Sequence, residues 1–397
     1  MCHALSNCSR YANSSLCFLT TVLTASLLLL TLLHEARSET VILAKNTKLE
    51  DLTLEELMNV EVYSASKQLE TAFTTAAAVY VITQDEIHKS GAKTLTEALR
   101  LAPGVQVSCT SNNFCNVGIR GFTGPYSHKL LVLQDGRTLY DPLTSGVYWD
   151  IQQVMLDDIE QIEIIRGPAA TLWGVNAVNG VINIKTRHAR DSQGGLVTVS
   201  GGTTERAAVG VRYGGKTGEN GWLRAYGKYF YREERLPDLS NTLTQQPWAD
   251  WRGGFRGDWE INDKNSATLQ GDVCDERFGN NRVNAGNLLG RWNKTLSDTS
   301  LLTLQLYYEH QAFDKTQLSM VDGAVKSYRD VWDRADLEIQ QTFALGERQR
   351  LIWGTGFRIF SDRLNGDPSI VPYYISLFQL GGKIPIFQDV TRNGQFL

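Results

Sequence analysis

Hydrophobic and polar residues alternate from residue 194 to about residue 365, in segments of about ten residues each. In the segment WLRAYGKYFYR, one face carries Leu223, Ala225, Gly227, Tyr229 and Tyr231, and the other carries Arg224, Tyr226, Lys228, Phe230 and Arg232. This period of two predicts strands with one apolar and one polar face. Because roughly nine such strands end in aromatic residues, we predict an antiparallel transmembrane β-barrel.

The connections between these predicted strands favour a membrane barrel over a soluble β-sandwich. Short turns such as INDKNS and LSDTS alternate with longer polar loops such as AFDKTQLSMVDGAVKS, as in outer-membrane barrels. Bacterial single-chain barrels have even strand counts, so roughly nine strands make residues 194–365 a partial barrel. The alternation is lost at 366–397, where Pro372 and Pro385 lie. We expect an irregular C-terminal tail there, in an apparently truncated chain.

The N-terminal half has a mixed pattern, which predicts a compact α+β domain at residues 60–187. Three T-x-x-E capping boxes predict helices that begin after Thr53, Thr83 and Thr94. Between and after them lie apolar runs of strand length, which are AVYVI, KLLVLQDG, IEQIEII and GVINIKT. The change of period near residue 194 therefore divides the chain into two regions.

The first residues predict export. An apolar run from Leu16 to Leu33 follows Arg10 and precedes the polar segment HEARSET, so we interpret residues 1–36 as a signal peptide and 37–59 as an N-terminal segment. A single-pass anchor is the rival interpretation. In an oxidising periplasm, Cys109 and Cys115 of CTSNNFC are expected to form a disulfide. A metal-binding pair is possible in principle, but no histidine lies nearby in the sequence.

Composition and motifs exclude several functions. A net charge of −4 gives no attraction for nucleic acid, while 35 Gly, 15 Tyr, 14 Phe and 9 Trp suit an aromatic-rich β protein. GVRYGGKT matches a P-loop by letter, but a turn and another alternating strand follow it, not a helix. Asp157, Asp158 and Glu160 are expected on a solvated helix or strand edge. We find no catalytic set and predict no enzyme, no cofactor and no metal site.

A series of motifs resembles the plug domain of TonB-dependent outer-membrane receptors. The motifs, in order, are VYVITQDEIHKSGAKTLTEALRLAPGVQV, NVGIRGF, KLLVLQDGRTLYDP and VYWDIQQVMLDDIEQIEIIRGPAATLWGVNAVNGVINIKT. The resemblance is close over residues 60–187 and looser over the strands to about residue 365. It implies a plug folded inside a barrel that in complete relatives has about 22 strands.

The resemblance also singles out the residues of the plug motifs. They are Arg120, Gly121, Asp135, Gly136, Arg166, Gly167, Pro168, Gly174, Gly180 and Asn183. A plug inside a lumen needs tight turns and close backbone packing, which glycine permits. RGPAATLWG is then the turn before the last plug strand, and not a phosphate cradle. We expect Arg120 and Arg166 to form ion pairs within the plug or with the barrel, with ligand contact as a second option.

By resemblance, the function is energy-coupled import across the bacterial outer membrane. The implied partners are the TonB energy-coupling complex, an iron-siderophore or similar chelate, and outer-membrane lipid. The candidate for the TonB box, the segment that contacts TonB, is Val60, Glu61, Val62, Tyr63, Ser64, Ala65 and Ser66, which suits β-strand addition; the segment at Glu39 is second. Receptors for haem, cobalamin or carbohydrate share these motifs. A passive porin or adhesin is the second hypothesis for the function, and an outer-membrane hydrolase is the third.

Overall fold

The computed structural model describes residues 61–63, 70–71, 77–111, 113–124, 129–141, 144, 146–237, 243–318, 325–346, 349–366 and 389–396, all within the compact unit Thr53–Leu397. The predicted signal peptide at 1–36, the segment 37–59 and the helix after Thr53 lie outside these ranges. No helix among the described residues is long and apolar enough to cross a membrane.

The first region contains short strands and helices. Its elements are β1 (Glu61–Val62), β2 (Glu70–Thr71), β3 (Val79–Thr83), α1 (Gln84–Ser90), α2 (Leu95–Leu99), β4 (Val105–Cys109), β5 (Cys115–Ile119), β6 (Leu130–Gln134), β7 (Arg137–Thr138), η1 (Leu156–Asp158), β8 (Ile159–Arg166), α3 (Ala170–Trp173) and β9 (Gly180–Thr186). Strands β3-β8-β9-β6-β7 form one sheet, in which β6 and β9 are parallel. Strands β1-β2 and β4-β5 form two separate antiparallel pairs. This region is the α+β domain that the mixed pattern predicts.

Local sequence explains where the two longer helices of this domain begin. Thr83 caps α1 through a complete capping box, because its hydroxyl accepts from the Glu86 amide and the Glu86 carboxylate accepts from the Thr83 amide. Thr94 caps α2 by accepting from the Glu97 amide, while the Glu97 carboxylate accepts from the amide of Lys93. Apolar side chains from these helices, from the five-stranded sheet and from β5 then form the buried core, which includes Ile87, Leu99, Ile119, Ile162 and Ile182.

The second region is a ten-stranded antiparallel sheet among the described residues, with its strands in sequence order. A short 3-10 helix, η2 (Ala189–Ser192), leads into it. The strands are β10 (Gly194–Ser200), β11 (Glu205–Lys216), β12 (Gly221–Pro237), β13 (Leu243–Asn262), β14 (Asn265–Phe278), β15 (Asn281–Ser297), β16 (Ser300–Leu318), β17 (Val325–Leu345), β18 (Gln349–Gly366) and β19 (Asp389–Phe396). Nine of them precede residue 367, in agreement with the alternation.

The segment 366–397 departs from its prediction as an irregular tail, because Asp389–Phe396 pairs with β18 from Asn365↔Asp389 to Arg358↔Phe396. Backbone hydrogen bonds need no apolar alternation, so a strand can form where that pattern is lost.

Each long strand has an apolar face turned outward and a polar face turned toward the first region. On β16, Leu306 is 56% exposed, while its neighbours Gln305 and Tyr307 are buried. This arrangement is inverted relative to a soluble sheet, where exposed positions are polar. The inward polar side chains are buried because the plug covers them.

The two ends of this sheet have connections of different length. One end, called the short-turn end here, has turns at 217–220, 263–264, 298–299 and 346–348. The opposite end has the connections 201–204, 238–242, 279–280, 319–324 and 367–388, of which three are longer than any turn at the short-turn end. In outer-membrane barrels short turns lie on the periplasmic side.

Candidate functional site

The candidate site is the interface between the α+β domain and the inward face of the strands, called the plug interface here. At its centre is the turn Asp135-Gly136 between β6 and β7, where both residues have left-handed backbone angles, with φ of 49° and 83°. The Asp135 carboxylate accepts from the Thr186 amide at 2.9 Å and from the Gln270 Nε2 of β14 at 2.9 Å. One carboxylate therefore joins two plug strands to the sheet.

Gly136 allows the sheet to approach this turn closely. Its carbonyl accepts from Gln305 Nε2 at 3.2 Å, and a Cβ added to Gly136 would lie 2.8 Å from Gln305 Oε1. Arg291 on β15 donates to the Asp135 carbonyl and also to Gln305 Oε1. The DG motif is thus held at its backbone by two strand side chains.

A buried ion triad lies beside the turn. Arg137 of the plug donates to Glu309 Oε1 at 2.7 Å, and Arg334 on β17 donates to Glu309 Oε2. All three side chains are buried. Arg334 also donates to the carbonyls of Tyr140 at 2.7 Å and Thr138 at 2.6 Å. Arg334 therefore donates to main-chain carbonyls of the plug as well as to the Glu309 carboxylate.

Asp158 corrects the prediction of a solvated acidic edge at Asp157, Asp158 and Glu160. Its side chain is buried and lies 2.5 Å from Arg212 on β11 and 3.6 Å from Arg224 on β12. A buried carboxylate needs partners of this kind. Local sequence contains no sign of them, because they come from strands more than 50 residues further along the chain.

Cationic side chains of the sheet also donate to main-chain carbonyls of the plug at several other points. The pairs are Arg224 with Arg187 at 2.8 Å, Lys228 with Val154 at 3.0 Å, Arg256 with Thr186 at 3.2 Å, and Arg252 with Ile151. Together with Arg291 and Arg334, they place donors from strands β12, β13, β15 and β17 on the plug backbone. The polar inward face thereby satisfies carbonyl groups that secondary structure leaves without partners.

Arg120 and Arg166 do not make the ion pairs expected of them with any described carboxylate. Arg166 Nη1 donates to the Pro103 carbonyl at 3.1 Å, and the exposed Arg120 guanidinium lies over Gly167, 3.5 Å from where a Cβ would be. The pairs between plug and sheet are formed instead by Asp135, Arg137 and Asp158.

Most of the remaining motif residues lie between β8 and β9, whereas Gly121 follows β5. Gly121, Gly167 and Gly174 have positive φ, and Pro168 is exposed before the single turn of α3. Gly180 is different, because its space is limited by backbone: a Cβ would lie 2.6 Å from the Ile165 carbonyl. Asn183 is buried on β9 and lines a cavity. RGPAATLWG is therefore a connection with one helical turn.

The pair β4-β5 is closed by a disulfide between Cys109 and Cys115, whose Cα atoms are 4.0 Å apart. Arg100 lies 3.6 Å from the Cys109 sulfur. Residues that could bind a metal do not cluster elsewhere: within the described ranges no group of three or more His, Cys, Asp or Glu side chains is arranged to hold an ion.

The candidate TonB box is described only at Glu61, Val62 and Tyr63; Val60 and Ser64, Ala65 and Ser66 lie outside the described residues. Val62 is fully buried, and its strand pairs with β2. The Tyr63 amide donates to Glu163 Oε2 at 3.1 Å, and the Tyr63 hydroxyl accepts from Gln340 Nε2 at 3.4 Å. Burial raises the pKa of the Tyr63 phenol.

Tyr63 borders a cavity of about 1190 Å³ between the plug and the strands. The turns at 263–264 and 298–299 line the same space, so it lies at the short-turn end. Its walls are mostly polar and carry both signs of charge, among them Lys185, Arg256 and Glu338. Sequence patterns did not predict this space, because its lining comes from both regions.

Comparisons with known proteins show what this architecture is similar to. Residues 71–181 match the family described as TonB-dependent Receptor Plug Domain. The vitamin B12 transporter BtuB of Photobacterium profundum is 34% identical over 199 residues, which are 50% of this chain and 31% of that protein. The BtuB of Vibrio cholerae is 33% identical over 164 residues, 41% of this chain and 26% of that protein. The aligned chain thus spans less than a third of these curated relatives.

Solved structures share the fold. The ferric enterobactin receptor of Pseudomonas aeruginosa, as a mutant, has a TM-score of 0.60 at 19% identity, covering 84% of this chain and 55% of that one. The ferripyoverdine receptor of the same organism has a TM-score of 0.64 at 13% identity, covering 77% and 45%. A plug domain followed by antiparallel barrel strands is the architecture of these receptors. Residues 71–181 are thus similar to the plug domain of TonB-dependent receptors, and the chain shares its fold with solved receptors of this kind.

Proposed function

We propose that this protein imports a scarce metal chelate through the outer membrane in a TonB-dependent manner. The observation that carries the proposal is the plug interface. Six cationic side chains of the strands donate to plug main-chain carbonyls, and ion pairs join Asp135, Arg137 and Asp158 to the sheet. A passive porin keeps its lumen open, so a domain attached to the strands at so many points argues against that function.

Energy coupling follows from this attachment. Each buried charge-assisted bond stabilises the plug in place, and these bonds must break before a ligand can pass. Ligand binding can contribute only the difference between its affinities for the open and closed states, so a further source of energy is needed. Tyr63 of the candidate TonB box borders the cavity at the short-turn end, which is the periplasmic side in such barrels. A periplasmic partner therefore has a segment within reach that contacts the plug directly.

Two ligand classes are candidates for transport. We propose an iron-siderophore as the first, as the resemblance implies. A cobalamin-type corrinoid is the second, because the sequence relatives at 33% and 34% identity are vitamin B12 transporters. Outer-membrane lipid is the proposed environment of the outward apolar side chains, such as Leu306, Val273 and Trp353.

The test is growth and uptake by a strain that lacks this protein. We expect loss of growth on one ferric siderophore under iron limitation, with normal growth on inorganic iron and on cobalamin; the reverse pattern would assign a corrinoid. Uptake should also stop when the proton gradient is dissipated, because the TonB complex depends on it. Uptake that continues without the gradient would contradict energy coupling and would favour a passive porin.

A further inference from the structure

The contact between Tyr63 and Glu163 connects the candidate TonB box to the rigid centre of the plug. Glu163 lies on β8, which is paired on both sides, with β3 and with β9. Its side chain is fully buried. Oε1 accepts from Gln161 Nε2 at 2.8 Å and lies 3.8 Å from Lys185 Nζ, while Oε2 accepts the Tyr63 amide. The carboxylate is thus held by Gln161 of its own strand and lies near Lys185 of β9, in addition to its bond with the segment.

Among the described residues, the segment has few other polar attachments, while the side chain of Val62 is fully buried. Strand β1 is two residues long, and its partner β2 is equally short. The Tyr63 hydroxyl bond to Gln340 on β17 is long at 3.4 Å, and the ring meets Trp173 edge-on, with centroids 6.5 Å apart. A charge-assisted bond from a buried carboxylate is therefore the strongest polar contact that we can assign to Tyr63.

We propose that Glu163 is the positioning residue of the coupling segment. Its carboxylate holds the Tyr63 amide, so that Glu61–Tyr63 stays docked at the border of the cavity until a partner takes the segment by strand addition. The inference rests on the proposed function, because it assumes that this segment couples to TonB. It adds the regulation of that step: while Glu163 holds the amide, the same N–H cannot pair with a partner strand.

The first measurement is hydrogen–deuterium exchange at the Tyr63 amide in the purified full chain. Glu163→Gln removes the charge, and Glu163→Asp keeps the charge for Lys185 but withdraws the carboxylate by about 1.5 Å. Both variants should accelerate exchange at Tyr63 on the order of tenfold, as loss of a charge-assisted bond predicts. Glu160→Gln, an exposed position on the same strand, is the matched control and should exchange like wild type.

The second measurement is binding of the isolated periplasmic domain of TonB without ligand. A merely structural role for Glu163 would leave this affinity unchanged, whereas release of the segment should raise it several-fold in Glu163→Gln and Glu163→Asp. Wild-type exchange at Tyr63 in both variants would overturn the proposal, and so would faster exchange with unaltered TonB affinity. If wild-type protein does not bind TonB under any condition, the proposed function fails, while the exchange data still decide whether Glu163 holds the segment.

Discussion

Single residues at the plug interface are charged, buried and paired across two regions of the chain. Glu309 illustrates this, since it accepts from Arg137 of the plug and from Arg334 of the sheet. Burying such charges is costly, and pairing offsets much of that cost without guaranteeing a net gain. Removal of one partner is different, because it leaves the others buried and uncompensated.

Glu309→Gln should therefore weaken the plug interface by roughly 3–5 kcal/mol. The measurement is the free energy of unfolding of the plug in urea, followed by tryptophan fluorescence. The matched control is the ion pair between Arg190 of η2 and Glu260 of the sheet. Like the Glu309 pairs it joins an element outside the sheet to a strand, but both of its side chains are about half exposed. Glu260→Gln should cost about 0–1 kcal/mol. Equal losses in the two variants would contradict the buried triad.

Asp150 gives the plug a dependence on pH. Burial raises the pKa of its carboxyl from 3.8 to about 6, although Lys315 and a hydrogen bond with Glu276 oppose the shift. Between these two values the folded plug binds more protons than the unfolded chain, so its stability falls as pH rises through this window.

In Asp150→Asn this fall should be smaller. Urea midpoints of the plug measured at pH 4, 5, 6 and 7 would show it, and Asp157→Asn, which retains Asp150, should keep the wild-type slope. If the urea midpoint of Asp150→Asn varies with pH as steeply as that of wild type, the Asp150 carboxyl is not the source of the pH dependence.

At the scale of elements, close packing inside the plug depends on particular glycines. Gly180 begins β9, and a Cβ at this position would lie 2.6 Å from the carbonyl of Ile165 and 2.7 Å from the side chain of Ile119. The carbonyl belongs to paired backbone in β8 and cannot turn aside. Gly227 on β12 has open space where its Cβ would be.

Gly180→Ala should thus destabilise the plug by about 1–3 kcal/mol through overpacking. Gly227→Ala is the control and should change stability by less than about 1 kcal/mol, because no atom lies within reach of its methyl group. Thermal unfolding of both variants tests the difference, and a Gly180→Ala protein as stable as wild type would show that β8 and β9 can separate freely.

The coupling segment gives a prediction about transport. Tyr63→Pro removes the amide that strand addition to TonB requires, so uptake should fall while ligand affinity stays unchanged. Tyr63→Phe keeps the amide and the ring and is the control. Uptake of labelled chelate and equilibrium binding should be measured on the same variants; full uptake by Tyr63→Pro would direct attention to the segment at Glu39.

Elements with local signals could be predicted from sequence, and long-range partners could not. Thr83 and Thr94 begin helices because the amides that donate to their hydroxyls lie three residues away, and alternation revealed the strands before residue 367. Asp158 was placed wrongly in solvent because its arginine partners lie on β11 and β12. Partners distant in sequence also explain why Arg120 and Arg166 were expected to form ion pairs at the interface, whereas Arg137, which does form one, was not.

For the whole molecule, the outward apolar face predicts how depth in the membrane affects substitutions. Leu306 lies within β16 and Leu345 ends β17 at the short-turn end; both are more than half exposed. Leu306→Arg should cost about 2–4 kcal/mol of barrel stability, and Leu345→Arg about 0–1 kcal/mol. Heat-modifiable gel mobility after refolding into lipid vesicles measures this, and equal costs would be inconsistent with the proposed membrane span.

The contacts of strand arginines with plug carbonyls have a consequence for how such proteins diversify. All twenty amino acids have a main-chain carbonyl group. The bonds from Arg224, Arg252, Arg291 and Arg334 therefore depend on the backbone position of the plug and not on which side chains it carries there. Plug sequences can therefore drift, or be exchanged between related receptors, while the docking geometry persists. Only positions such as Asp135, Arg137 and Asp158, which contribute their own charges, would have to be transplanted together with their barrel counterparts.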